Sequence, residues 1–153
     1  MKTDSNNQQW IQWKPSSLNL DGNYNTSQVI DTPDCFKILI TKVTELQLIE
    51  ITFNTSVWAY RRTSESFRQN IFKELSLTYG NDFYINWSFF KITEGSSYLK
   101  WLDTESCGIS DELNLTHYVI MTLDDIFDVV ANYEPEIKIT KCARRESNLR
   151  PTD

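Results

Sequence analysis

A chain of 153 residues that is 40% hydrophobic and 13% aromatic, with four glycines and four prolines, can bury one sizeable core but is short for two domains. Its formal charge of −6 speaks against direct binding of nucleic acid, which needs Lys and Arg to displace counterions from phosphates. Three widely spaced cysteines, Cys35, Cys107 and Cys142, with no CxxC pair, give neither a disulfide framework nor a zinc site, and no apolar run suits a signal peptide or a membrane span. A cytoplasmic protein with reduced thiols and no membrane partner is expected.

Residues 1–32 are rich in Asn, Gln, Ser and Thr and read as a polar arm. Trp10 and Trp13 dock it on the body, because free tails seldom keep exposed indoles. From Cys35 the composition changes. CFKILITKV and ELQLIEITF are β-branched and partly alternating, which predicts two strands, and SVWAYR predicts a third.

The period then becomes helical over about residues 64–78. Thr63 or Ser64 can cap, Glu65 suits the first turn, and Gly80 is a stop signal. Phe67, Ile71, Phe72 and Leu75 form the apolar arc. Beyond it, DFYINWSFFKIT and SSYLKWLD read as aromatic strands and LTHYVIMTL as another. IFDVVANYEPEIKI supplies one or two more, broken at Glu134-Pro135.

The expected fold is α+β over residues 33–140: one antiparallel sheet of about six or seven strands packed on one main helix, with the strand order left open. Residues 141–153, KCARRESNLRPTD, carry four of the fifteen basic residues and read as a disordered basic tail.

Motifs for catalysis are absent. His117 is the single histidine; it lies on a predicted strand without a nucleophile elbow, so a structural role is expected. Asp124, Asp125 and Asp128 crowd together but lack the alternating acids, central Gly and closing Glu of a calcium loop. The glycines stand alone, so no phosphate loop forms. No metal, no cofactor and no enzymatic activity are expected.

Arg61, Arg62 and Arg68 are the only arginines before the tail. Strand alternation puts Arg61 and Arg62 on opposite faces. A helical wheel puts Arg68 inside the apolar arc, where an unpaired charge would cost several kcal/mol. Glu65, one turn earlier, is its expected partner. The trio with Glu65 reads first as an internal clamp at the strand-to-helix corner. An anion-accepting pocket and plain surface charge are the alternatives.

Position sharpens the acidity. Residues 1–140 hold 11 Lys and Arg against 19 Asp and Glu, a net of −8. Between Trp101 and Ile137 lie nine acids without a Lys or Arg: Asp103, Glu105, Asp111, Glu112, Asp124, Asp125, Asp128, Glu134 and Glu136. An acidic face over this third, formed chiefly by the first seven, would attract a basic protein partner, the simpler alternative being solubility.

YRRTSESFR and, far downstream, HYVIMTLDDIFDVVANYEPEI resemble the layout of small bacterial immunity-like proteins of polymorphic or contact-dependent toxin systems. The resemblance implies a cytosolic, non-catalytic protein that neutralises one toxin. It transfers no functional residue, because immunity interfaces differ between lineages. The runner-up expectation is a small-ligand or anion-binding domain using the Arg61, Arg62 and Arg68 corner.

Overall fold

The computed structural model describes residues 8–15 and 18–141. Nine strands and three α-helices follow in chain order: β1 (Gln9–Gln12), β2 (Tyr24–Asp31), β3 (Phe36–Lys42), β4 (Gln47–Phe53), β5 (Ala59–Ser64), α1 (Gln69–Tyr79), α2 (Asp82–Ile85), β6 (Phe89–Glu94), α3 (Ser97–Glu105), β7 (Thr116–Met121), β8 (Asp125–Ala131) and β9 (Glu136–Lys141). Short 3-10 turns precede α1, over Glu65–Phe67, and β7, over Ile109–Glu112.

The strands form two antiparallel sheets, not the single sheet of six or seven expected. One has the order β1-β6-β7-β8-β5 and the other β2-β3-β4-β9. They pack face to face through aromatic rings: Tyr118 of β7 meets Trp13 at 5.1 Å and Phe53 of β4 at 5.8 Å, and Tyr24 of β2 meets Phe89 of β6 at 6.0 Å. Alternation in β3 and β4 sends Phe36, Ile38, Ile40, Ile49, Ile51 and Phe53 into this interface.

The helices cover the other face of the five-stranded sheet. Phe83 of α2 packs on Phe90 of β6, Tyr98 of α3 on His117 of β7, and the Tyr79 hydroxyl of α1 accepts the Trp10 N–H. With a sheet on one side and helices on the other, β8 is buried at all seven positions. That explains why IFDVVA reads as a continuous apolar run and not an alternating one.

Residues 9–12 and 24–31, expected to belong to an arm beside the domain, are strands of the two sheets. β1 pairs with β6 and β2 with β3, and Trp10 and Trp13 are buried. The expected tail lies outside the described residues except for Lys141, the last residue of β9.

The main helix starts later than expected. The chain makes a 3-10 turn at Glu65–Phe67 and α1 begins at Gln69, capped by Arg68 without a side-chain bond. Because a 3-10 turn advances about 120° per residue, a wheel drawn through residue 67 misplaces Phe67, which is 82% exposed. Ile71, Phe72 and Leu75 do face the core, and Gly80, at φ 87°, ends the helix with its N–H on the Ser76 carbonyl. SSYLKWLD is helix α3 and not a strand. Ser96 caps it by accepting the Leu99 N–H at 3.0 Å. The aromatic composition pointed to a strand, whereas Tyr98 and Trp101 stand at helical spacing. The first half of DFYINWSFFKIT is likewise α2.

Candidate functional site

A carboxylate in the middle of the otherwise apolar run IFDVVA demands explanation. Asp128 is 1% exposed at the centre of β8. Cross-strand register sets Arg61 of β5 directly opposite it, and His117 of β7, opposite Val130, falls on the same face as a diagonal neighbour. Both donate to it: Arg61 Nε to Oδ2 at 2.8 Å, and His117 Nε2 to Oδ1 at 2.6 Å.

The third donor arrives from outside the sheet. After β5 the 3-10 turn folds the chain over the helix-covered face, and the Arg68 side chain reaches back past Thr63 to place Nη1 2.9 Å from Asp128 Oδ2. Arg68 is therefore paired with Asp128 and not with the expected Glu65, whose backbone N–H bonds the Asp124 carbonyl instead. Burial pushes the Asp128 pKa up, but His117, Arg61 and Arg68 outweigh it and hold the carboxyl well below the usual carboxylate range.

A carboxylate with a depressed folded pKa contributes stability that is complete above its unfolded value, about 3.9, and lost as pH falls toward the folded value. Urea midpoints should therefore drop between about pH 5 and pH 3 in the native chain. They should fall less steeply in Asp128→Asn, whose starting stability is lower but whose amide does not titrate in this window.

The clamp continues beyond Asp128. His117 Nδ1 is 2.7 Å from Ser96 Oγ, the cap of α3. Since Asp128 only accepts, Nε2–H donates to it, and the Ser96 hydroxyl and Nδ1 share the second bond. These are the residue types of a hydrolase relay, but the ring is turned end for end, with the serine on Nδ1 and the acid on Nε2. Ser96 is 5% exposed and His117 1%. The arrangement ties α3, β7, β8, β5 and the start of α1 to one carboxylate.

Arg62 takes no part in it. It lies on the opposite face of β5, where Nη2 bonds Asp125 Oδ2 at 3.0 Å and the guanidinium stands over the Phe127 ring. The trio therefore does not converge on one pocket.

The seven acids expected to form one face are dispersed. Asp125 and Asp128 are buried and paired with the arginines, so neither belongs to an acidic surface. Asp124 is exposed in the turn between β7 and β8, where it accepts the Thr26 N–H at 3.0 Å. Glu105, Asp111 and Glu112 are exposed and Asp103 half-buried at the other end of β7, a strand length, about 20 Å, away. Glu134 pairs with Lys91, and Glu136 accepts from the Asn54 side chain.

What remains is the segment from α3 through the second 3-10 turn. Between residues 95 and 115 it holds Asp103, Glu105, Asp111 and Glu112 against Lys100 alone. It also exposes Trp101 at 54% and Ile109 at 64%. Sequence reasoning passed over both apolar residues because the first was assigned to a strand.

Among the described residues no cluster of three His, Cys, Asp or Glu could hold a metal ion, and no helix is long and apolar enough to cross a membrane. No protein-family model, curated protein or solved structure matches the chain.

Proposed function

We propose that the protein is a non-catalytic, cytosolic binder of immunity type that neutralises a basic protein partner, such as a nuclease toxin domain, by covering its cationic surface. One observation carries this reading: two large apolar side chains, Trp101 and Ile109, stand exposed on a segment whose charge is almost wholly negative. Exposed acids steer a basic partner and exclude nucleic acid, while a desolvated Trp supplies the contact that holds the complex. The binding surface is thus narrower than a whole acidic third: Glu105, Asp111 and Glu112 with half-buried Asp103, not Asp124, Asp125 or Asp128.

The stretches that resemble immunity-like proteins supply β5, β7 and β8, three adjacent strands, and the turn after β5, and their Arg61, Arg68, His117 and Asp128 meet in the clamp. The likeness therefore falls on the scaffold, which suits proteins whose interfaces differ. The alternative of an anion site using the whole arginine corner loses support, since Arg62 and Arg68 are each committed to a buried acid.

Affinity capture from the source cell, comparing the native chain with Trp101→Ala and with the triple variant Glu105→Gln, Asp111→Asn, Glu112→Gln, tests the proposal. The expected result is a basic protein retained by the native chain, released as salt rises, and lost by both variants with their folds intact. Retention undiminished in both variants would place the contact elsewhere and reject this surface.

A further inference from the structure

Arg61 differs from the other two arginines of the corner in what it leaves unused. Its Nε is pinned on Asp128, its guanidinium carbon stands 4.3 Å from the Tyr98 ring centroid, and its side chain is 43% exposed. Among the described residues its two terminal nitrogens have no hydrogen-bond partner. Tyr98 in turn stacks on Trp101, centroids 6.0 Å apart and 15° from parallel. Tyr60 is held on the other side by its hydroxyl bond to Asp31 at 3.0 Å. With Ser97 these residues line an open pocket of about 550 Å³ beside β5, an edge strand of the five-stranded sheet.

A guanidinium fixed at Nε and stacked on a ring offers its remaining N–H groups in a set plane, the geometry that a carboxylate matches with two parallel bonds. The pocket's surroundings decide the class of anion. Glu105 lies one helical turn beyond Trp101 on the same face of α3, and the exposed Asp31 holds the Tyr60 hydroxyl at the opposite wall. A phosphate dianion would meet their repulsion. A single carboxylate with cations beside it would find each charge matched.

We propose that this pocket receives a carboxylate of the partner protein: an Asp or Glu side chain seated on Arg61 between Trp101 and Tyr60, with flanking Lys or Arg facing Glu105 and Asp31. The proposal rests on the binding reading above and specifies the partner segment as an acid within a basic run. It also gives Trp101 a role beyond apolar contact, as the wall that keeps water from the ion pair. Arg, Trp and Tyr together are the residue types on which binding energy concentrates.

The probes are two short peptides, lysine-rich, one with a central Glu and one with Gln in its place, together with acetate and inorganic phosphate. Binding is read by NMR from the indole N–H of Trp101 and the Nε–H of Arg61, each identified by its own variant. The Glu peptide should move both signals and bind at least about tenfold more tightly than the Gln peptide. Arg61→Lys, which keeps a cation beside Asp128, should bring the Glu peptide down to the Gln level. Trp101→Ala, a change at an exposed position, should weaken the Glu peptide by at least about tenfold. Equal binding of the two peptides would overturn the carboxylate pocket while leaving the acidic binding surface standing. Binding by neither would reject both. Acetate or phosphate moving the same signals at the peptide's concentration would make the ligand a small anion and overturn the protein-segment form.

Discussion

Replacing Asp128 by Asn should cost about 3–5 kcal/mol of unfolding free energy, the range for breaking a buried pair by removing one partner. The loss comes from what is left behind. Arg68, whose side chain is 14% exposed, and His117, at 1%, would keep their donors without a charged acceptor. Arg61, at 43%, can rehydrate, so its share is smaller. Asn still accepts one bond, and Asp128→Ala should therefore be worse than Asp128→Asn. Against the 5–15 kcal/mol that an ordinary domain possesses, about 4 is a large fraction, and both variants should unfold at markedly lower urea. An unfolding free energy within about 0.5 kcal/mol of the native chain would show that solvent takes over the clamp's role. The same reasoning bars Asp125 and Asp128 from any charge-neutralising series meant to probe a binding surface, because their loss would be felt first in the fold.

Deleting residues 1–13 should abolish cooperative unfolding altogether. Trp10 and Trp13 are 5% and 4% exposed, and truncating a buried aromatic costs about 3–5 kcal/mol for each. The deletion also removes β1 and uncovers the edge of β6, and with it the Trp13 N–H bond to the Phe89 carbonyl at 2.8 Å. Trp10→Ala and Trp13→Ala separately should each lower the melting temperature by many degrees while keeping a single transition. Trp10 packs on Phe90 on the helix-covered face, and Trp13 on Phe89 and Tyr118 between the sheets. The two losses come from different interfaces and should add. A deletion that melted like the native chain would mean that these residues are a detachable arm after all.

Several features were legible from the residues alone because they are local. Alternation marked β3 and β4, and placed Arg61 and Arg62 on opposite faces of β5, which is how their partners divide. Gly80 marked the end of α1. The cost of an unpaired charge required Arg68 to have a carboxylate. One signal went unused: a single Asp in the apolar run IFDVVA implies donors brought to it from elsewhere in the chain.

The rest was decided by contacts between residues far apart in sequence. Arg68 and Asp128 are 60 positions apart, and only the β5-β8 register brings them together, so the nearest acid, Glu65, looked like the partner. Periodicity reports which side chains share a face but not which sheet a strand joins, so one sheet and two were indistinguishable from the pattern. For the same reason composition could count nine acids but not sort them. Burial in the five-stranded sheet turned two into structural anions, and the length of β7 parted Asp124 from Glu105, Asp111 and Glu112. Folding α3 as a helix set Trp101 beside Arg61 and one turn from Glu105.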